Sequence, residues 1–176
     1  MMKAVFLDRD GVINEVLTER VRFVNDPSQL FLLAGAAEGV RILCDKGYKV
    51  FVVTNQGGVG LGYMKEAVLK DIHRKMVEEI EKAGGKIEEV AYCAHSPHAG
   101  CECRKPGSLM ITDLAERHGI TIEESYMIGD RDVDIMAGKK AGTKTILVGS
   151  TDHGADMNFP SLLDAAKWIG GQQESR

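Results

Sequence analysis

Short apolar runs alternate along the chain with longer segments in which apolar residues recur every three or four positions. The runs have the length and composition of buried strands. They predict five strands, at Lys3–Leu7, Lys49–Val53, Glu89–Tyr92, Ser125–Ile128 and Thr145–Val148. The longer segments have the period of amphipathic helices, and several stop at a glycine. They predict helices at Gly35–Lys46, Met64–Ala83, Ser108–His118 and Asp132–Ala141, then a last helix from about Pro160 and a frayed tail at residues 170–176.

The regular alternation of strands and helices predicts a parallel sheet, because a parallel pair needs a crossover that a helix supplies. We therefore expect a single α/β domain over residues 1–176, built as a three-layer, doubly wound parallel sheet. In such sheets ligands bind outside the carboxyl ends of the strands. Three strand ends carry polar clusters, LDRDG, VTNQGG and IGDRDVD. We expect them to form one site under a minimal cap, since the connections are short.

Composition and charge restrict the partners of this chain. With a formal charge of −4, it has no global attraction for nucleic acid or an acidic membrane. An anionic ligand must therefore be held by local groups. No secretory signal and no apolar run of membrane-spanning length is visible. We expect a cytoplasmic protein that acts as a monomer on a small phosphorylated metabolite.

Two aspartates follow the first predicted strand. Asp8 and Asp10 flank Arg9 and precede Gly11. One interpretation is a simple turn in which the aspartates bind the backbone. The other gives each carboxylate a chemical task, with Asp8 as a nucleophile and Asp10 as a general acid and base. Because two close carboxylates repel each other, the second interpretation also predicts a hard divalent cation such as Mg²⁺.

The fourth predicted strand supplies a third acid. Asp130 follows Gly129 at its end, where it can meet Asp8 across the sheet edge, and we expect it to be a metal ligand. Asp132 and Asp134 begin the next helix. We expect them to cap that helix and compensate its dipole rather than to bind metal directly.

Two further segments provide groups for an anion. After the second strand, Thr54 offers a hydroxyl, and the glycines from Gly57 onward leave backbone N–H groups accessible to a phosphate. Such a glycine-rich segment fits a flexible connection equally well. In the segment CRKPG, a Pro-Gly turn follows Arg104 and Lys105 and can direct a cation inward. Cations in that place would stabilise a phosphoryl group in transfer.

Three cysteines and a histidine lie within one short loop, residues 93–103. Their spacing, C-x-H-x5-C-x-C, predicts a tetrahedral Zn²⁺ site formed by Cys93, His95, Cys101 and Cys103. His98 is a spare candidate for the imidazole ligand. The alternative is a set of free thiols with a redox pair at Cys101 and Cys103. Four ligands leave no open position, so we expect a structural zinc.

These motifs, in this order, resemble the haloacid-dehalogenase-like (HAD-like) phosphatases over roughly residues 3–149. The resemblance implies a phosphoaspartyl intermediate on Asp8 and acid–base catalysis by Asp10. It implies Mg²⁺ held by the Asp8 carboxylate, the Asp10 backbone carbonyl and Asp130. It also implies that Thr54 and Lys105 bind the phosphoryl group. We expect the substrate to contact Asp8, Arg9, Asp10, Thr54, Asn55, Gln56, Gly57, Arg104, Lys105 and Arg131.

The zinc loop makes the chain similar to one subgroup of that family, which contains the heptose 1,7-bisphosphate and histidinol-phosphate phosphatases. DRDGVIN and TNQGGVGLGY favour the heptose enzymes, whereas the compact loop is similar to the histidinol-phosphate branch. Leu61 departs from the arginine that heptose-type enzymes often carry in the glycine loop. We expect hydrolysis of the 7-phosphate of D-glycero-D-manno-heptose 1,7-bisphosphate. The alternatives are histidinol-phosphate phosphatase activity or a zinc-braced binding protein without turnover.

Overall fold

Six parallel strands form the centre of the fold in the computed structural model, which describes residues 2–174. The strands are β1 Ala4–Leu7, β2 Lys49–Asn55, β3 Glu89–Cys93, β4 Tyr126–Gly129, β5 Lys144–Val148 and β6 Met157–Phe159. The helices are α1 Ala36–Asp45, α2 Glu66–Lys82, α3 Leu109–His118, α4 Asp132–Ala141 and α5 Leu162–Glu174. The three-layer, doubly wound sheet predicted from the alternating pattern is confirmed.

The order of the strands puts β1 at the point where the sheet reverses its direction of growth. The order is β3-β2-β1-β4-β5-β6, so the chain runs from β1 to one edge through β2 and β3, then returns to the other side through β4. Leu7, the last residue of β1, pairs with Val52 of β2 and with Ile128 of β4. The polar residues that follow these three strands therefore come together at the topological switch point, where α/β sheets bind ligands.

Both faces of the sheet are covered by helices, because every central strand is apolar on both sides. On one face, Val5 and Leu7 pack with buried residues of α1, α2 and α5. On the other face, Ala4 and Phe6 pack with buried residues of α3 and α4. None of the helices within residues 2–174 has an apolar stretch of the length that crossing a lipid bilayer requires.

The five predicted strands and five predicted helices are all present, and two predictions about the C-terminal part need correction. The short strand β6 was not predicted, since its three residues include the polar Asn158 and form no apolar run. The frayed tail predicted for 170–176 is wrong at Gly170–Glu174, which continue α5. Gly170 lies against Ile42 and Lys46 of α1, so packing extends the helix. The last two residues of the predicted tail lie outside the described part of the chain.

Candidate active site

Three carboxylates meet at the switch point. Asp8 follows β1, Asp130 follows β4, and Asp134 lies in the first turn of α4; one oxygen of each lies within 4.8 Å of the others. Gly11 permits this approach: its φ is +84°, and a Cβ atom there would lie 2.1 Å from Oδ2 of Asp130. A side chain at position 11 would therefore clash with Asp130 as well as strain the backbone.

Lys105 lies in the middle of this acidic cluster, with a side chain that is only 3% exposed. Its Nζ atom donates to Asp8 Oδ1 at 2.9 Å, to Asp134 Oδ1 at 2.6 Å and to the carbonyl oxygen of Val53 at 2.8 Å. These contacts use all three donors of the ammonium group. Burial opposes the charge on Lys105, but Asp8 and Asp134 outweigh that effect and raise its pKa.

One cation does not neutralise three buried acids. Burial raises the pKa of Asp8 well above its usual range, Lys105 opposes this, and the charges of Asp134, Asp130 and Asp10 add to the increase. Burial and the charge of Asp134 likewise raise the pKa of Asp130. Within residues 2–174, Oδ1 of Asp130 is buried without a hydrogen-bond partner. A site with excess negative charge and an unpaired carboxylate oxygen fits a hard divalent cation.

Asp10 is held apart from this cluster by four hydrogen bonds. Its Oδ1 accepts from Arg9 Nε and Nη2 at 3.1 and 2.8 Å and from Asn14 Nδ2 at 2.9 Å. Its Oδ2 accepts from Gln56 Nε2 at 3.1 Å. Burial acts to raise the pKa of Asp10, but the charge of Arg9 and these hydrogen bonds lower it. Asp10 is thus an oriented carboxylate that is ready to accept a proton.

Three residues predicted to contact a substrate have their side chains on other protein groups. Arg9 is 1% exposed and bound to Asp10. Gln56 bridges Asp10 and the hydroxyl of Thr54, to which its Nε2 donates at 2.8 Å. Asn55 makes paired hydrogen bonds of 3.0 and 2.9 Å with the backbone of Lys105. These contacts orient Asp10 and the loop that carries Lys105, and contact of the three side chains with a substrate stays a prediction.

An open cavity of about 280 Å³ lies beside Lys105. Arg104, Arg131 and Asn55 line it together with part of the cysteine loop. Nη1 of Arg104 is buried without a hydrogen-bond partner among the described residues and lies 3.1 Å from where a Cβ of Gly57 would be. An unpaired guanidinium donor is costly to leave buried, and an anion in the cavity would satisfy it.

The cysteine loop brings its four predicted ligands together. The Sγ atoms of Cys93 and Cys103 are 2.8 Å apart, and Nδ1 of His95 is 3.2 Å from Cys103 Sγ. Cys93 Sγ is 3.5 Å from Cys101 Sγ. All four ligand atoms lie within 4.8 Å of one another, and His98 is not among them. This is the donor set of a closed zinc site.

The chain is similar to named proteins over most of its length. A relative from Neisseria meningitidis serogroup A, named D-glycero-beta-D-manno-heptose-1,7-bisphosphate 7-phosphatase, is 35% identical over 96% of this chain and 95% of its own length. A relative of the same name from Rhodopseudomonas palustris is 38% identical over 79% of each chain. The HAD-hydrolase-like family model matches residues 102–161. The chain belongs to the HAD-like hydrolase family.

Solved structures of HAD-like proteins support the same assignment. The D,D-heptose 1,7-bisphosphate phosphatase from B. bronchiseptica, complexed with magnesium and phosphate, is 30% identical and superposes with a TM-score of 0.88. That similarity covers 98% of this chain and 99% of the other. The enzyme of the same name from Burkholderia thailandensis is 28% identical with a TM-score of 0.70, over 95% of this chain and 97% of the other.

Sequence reasoning missed part of this HAD-like site. Asp134 was expected to cap α4, and its Oδ2 does accept from the backbone N–H groups of Asp130 and Arg131 at 3.2 and 3.1 Å. Its other oxygen binds Lys105, which the sequence did not indicate. The spacing of the acids in GDRDVD could have indicated this contact. Asp134 lies one helical turn after Asp130, so its side chain points back toward the end of β4.

Proposed function

We propose that this chain is a Mg²⁺-dependent phosphatase that hydrolyses the 7-phosphate of D-glycero-β-D-manno-heptose 1,7-bisphosphate. The observation that carries the proposal is the pairing of Asp8 with Lys105 at the switch point, beside an oriented Asp10. Similarity to heptose bisphosphate phosphatases over 96% of the chain supports the choice of substrate. The β anomer is proposed because the named relatives act on it.

The reaction proceeds in two phosphoryl transfers. An oxygen of Asp8 attacks the phosphorus of the 7-phosphate and forms an acyl phosphate while the bond from phosphorus to the sugar oxygen breaks. Asp10 is ionised in the free site because its pKa is lowered, so it first takes up a proton that the phosphate of the substrate brings. It gives this proton to the sugar oxygen, which releases heptose 1-phosphate. Asp10 then removes a proton from a water molecule, whose oxygen attacks the phosphorus. Breakage of the acyl phosphate releases inorganic phosphate and restores Asp8, and the proton on Asp10 leaves with the phosphate.

The residues present fit a magnesium ion. Asp8, Asp130 and the backbone carbonyl of Asp10 would hold it, with Asp134 close to the same ligands. When bound, the ion supplies positive charge that neutralises the acids and the transferring phosphoryl group. Burial opposes the charge on Lys105, but Lys105 stays protonated beside Asp8 because the charges of Asp8 and Asp134 raise its pKa. The hydroxyl of Thr54, 1% exposed at the end of β2, lies with Gln56 near Asp10 and is proposed to bind a phosphoryl oxygen.

The cavity beside Lys105 is proposed to receive the substrate. Arg104 and Arg131 give it two positive charges, and the unpaired donor of Arg104 needs an acceptor. A substrate with two phosphates satisfies both requirements better than a monophosphate. The backbone of Gly57 lies next to Arg104, and we propose that it also contacts the substrate.

We also propose a structural Zn²⁺ on Cys93, His95, Cys101 and Cys103. The four ligand atoms come together with no fifth protein group offered among the described residues. Arg104 and Lys105 follow the last ligand directly in the chain. Zinc would therefore stabilise the loop that places these two cations. We also propose that the protein is a monomer, and light scattering on the purified protein tests this.

The experiment is phosphate release from a panel of esters with Mg²⁺. The panel contains the β and α anomers of the heptose bisphosphate, histidinol phosphate and p-nitrophenyl phosphate. We expect the β anomer to give the highest kcat/KM, and Asp8→Asn to lower it by at least ~10³-fold, because the nucleophile is lost. The matched control is Asp132→Asn, an exposed acid in the first turn of α4 that accepts a hydrogen bond from the neighbouring N–H of Val133.

Each other outcome rejects a defined part of the proposal. A preference for histidinol phosphate would reject the heptose substrate and keep the phosphatase mechanism. Turnover by Asp8→Asn at the rate of the unmodified chain would reject the nucleophile. Release from no ester would indicate a zinc-braced binding protein.

A further inference from the structure

Arg9 has almost no contact with water, so its protein partners define its role. Two of its nitrogens, Nε and Nη2, donate to Oδ1 of Asp10. The remaining contact joins Nη1 to Nε2 of His73, on α2, at 3.0 Å. The guanidinium group is thus shared between the proposed acid–base residue on one side and a helix imidazole on the other.

The direction of the bond between Arg9 and His73 follows from their chemistry. A guanidinium group has only N–H donors. Nε2 of His73 must therefore accept, and the ring proton must be on Nδ1. Burial, assisted by the charge of Arg9, lowers the pKa of His73 to about 3, which keeps the ring neutral and able to accept.

The packing of α2 holds this imidazole in place. His73 is 6% exposed and follows Ile72, which is fully buried in the core. Its ring centroid is 5.6 Å from that of Tyr92 on β3. The hydroxyl of Tyr92 donates to Glu66 in the first turn of α2. Helix and strand are therefore connected around His73, and its ring has a fixed neighbour on the side of the sheet.

We propose that His73 is a positioning residue for Asp10 and acts through Arg9. The inference rests on the proposed function, because Asp10 is the acid and base of that reaction. Nε2 of His73 holds the outer end of the guanidinium group so that Nε and Nη2 stay aligned on Asp10. Without that acceptor, Nη1 would be a buried donor with no partner, which is costly. The guanidinium group would turn to find another acceptor and would release Asp10 from its oriented position.

The first experiment compares two esters that differ in their need for a proton. The sugar oxygen of heptose bisphosphate needs the proton of Asp10 to leave, whereas nitrophenolate leaves without one. We expect His73→Leu to lower kcat/KM about tenfold for the heptose substrate and less than about twofold for p-nitrophenyl phosphate. His73→Gln keeps a side-chain oxygen that can accept from Arg9, and we expect it to recover most of the loss.

The second experiment asks whether the effect passes through Arg9. In the double variant Arg9→Met with His73→Leu, kcat/KM should equal that of Arg9→Met alone, because without the guanidinium group His73 has no contact through which it acts on Asp10. The matched control is Ile72→Val, which removes one methylene from the core beside His73 and leaves the hydrogen bonds intact. We expect it to lower the thermal midpoint without changing the ratio of the two kcat/KM values.

The inference has clear contrary results. Equal losses on both esters, no recovery in His73→Gln, or multiplied losses in the double variant would each show that His73 is only a core residue. These outcomes are separate from a failure of the proposed function. In that case the unmodified chain would not hydrolyse the heptose substrate, and the His73 variants would be compared on an alkyl phosphate that it does accept.

Discussion

The acidic cluster and the cysteine cluster are both groups of potential metal ligands, but the chain builds them in opposite ways. Asp8, Asp130 and Asp134 come from two strand ends and a helix, and Asp8 is more than a hundred residues from the other two in the sequence. Cys93, His95, Cys101 and Cys103 come from one strand end and the loop after it. The acids are hard oxygen donors that surround a lysine. The thiols and imidazole are softer donors with no cation among them.

Under the proposed function, the acidic cluster carries out catalysis and the cysteine cluster stabilises the neighbouring loop. The acidic cluster retains an unpaired carboxylate oxygen and excess charge, so it remains able to bind a cation and a phosphoryl group. The cysteine cluster has four ligands for four positions, so a bound zinc ion has no place for a substrate. Arg104 and Lys105 connect the two clusters. They directly follow Cys103 in the sequence, and Lys105 binds Asp8 of the acidic cluster. Four predictions test this division of roles.

Lys105→Ala removes the only cation whose contacts hold the acidic cluster together within residues 2–174. We expect kcat/KM to fall by roughly 10²–10³-fold, because the positive charge next to the reacting oxygen is lost. Two buried carboxylates also lose their partner, which should destabilise the fold by about 3–5 kcal/mol. Saturating Mg²⁺ should restore part of that stability, since it binds the same acids. Steady-state kinetics and thermal unfolding with and without Mg²⁺ measure both effects.

The control for this variant is Lys140→Ala, which removes an exposed lysine from the last turn of α4. It should behave like the unmodified chain. Unaltered kinetics in Lys105→Ala would mean that the cationic segment does not serve the reaction.

Removing a ligand from the cysteine cluster should affect stability more than chemistry. We expect Cys103→Ser to lose zinc and to lower the thermal midpoint by at least about 5 °C, because metal binding contributes to folding. The turnover number kcat at 25 °C should stay within about fivefold, since no zinc ligand touches the reacting atoms. Metal analysis by mass spectrometry and thermal unfolding provide the readouts.

Cys44→Ser is the matched control for the zinc prediction. Cys44 is half-buried on α1 and donates to the carbonyl oxygen of Lys86, away from the cluster. Its replacement should leave the zinc content unchanged. Native protein without zinc, in which the three thiols of the cluster react as freely as in the unfolded chain, would contradict the ligand assignment.

Asn55→Ala tests the connection between the two clusters. Asn55 binds both backbone polar groups of Lys105, so its loss should loosen the segment that places Arg104 and Lys105. We expect kcat/KM to fall about tenfold, which corresponds to about 1.4 kcal/mol, near the value of two neutral hydrogen bonds. Asn55→Asp, which can only accept, should give an intermediate value. Asn158→Ala, on the edge strand β6, serves as the control, and an equal loss there would contradict a specific role for Asn55.

Glu89→Gln tests whether surface charges at the start of β3, the strand that ends at Cys93, contribute to the stability of the fold. Glu89 begins this strand and binds Arg117 and His118 of α3. Hydrogen bonds from Arg117 lower the pKa of Glu89 to about 2, although the side chain is 35% exposed. A lowered pKa stabilises the fold above the ordinary value near 4.5, and this stabilisation is lost as the pH falls toward 2.

Because the pair is exposed to solvent, we expect Glu89→Gln to cost less than ~1 kcal/mol at pH 7 and still less at pH 4. Urea unfolding at the two pH values measures this, and the zinc content should not change. The control is Glu116→Gln, an exposed residue of α3. A larger cost at pH 4 than at pH 7 would reverse the assigned direction of the pKa.

The predictable parts of the site depend on two simple rules. Parallel strands bring their carboxyl ends to one edge, so the sequence alone predicts that Asp8, Thr54 and Asp130 meet. Ligands close together in the chain are close in space, so the spacing C-x-H-x5-C-x-C was enough to select the four cysteine-cluster residues and to prefer His95 over His98. Neither rule requires knowledge of side-chain direction.

The parts that the sequence did not predict depend on where side chains point. Arg9, Asn55 and Gln56 adjoin the reacting residues in the sequence, and their positions favour contact with a substrate, which stays a prediction. Their side chains also satisfy Asp10 and the backbone of Lys105, because buried polar groups must find partners. Asp134 caps α4 as expected, and its second oxygen binds Lys105.

The sequence by itself determined the alternating α/β plan, the acids at the strand ends and the spacing of the three cysteines and the histidine, and its motifs resemble one family. The plan and the meeting of the acids follow from local periodicity and from the direction of parallel strands, whereas the family follows from the motifs that the chain shares with it. Only the tertiary structure decided that Lys105 lies among three acids, that His73 supports Arg9 and that α5 continues over α1. These contacts join residues far apart in the chain. Packing density and the demand for hydrogen-bond partners select them, and neither can be evaluated until the chain is folded.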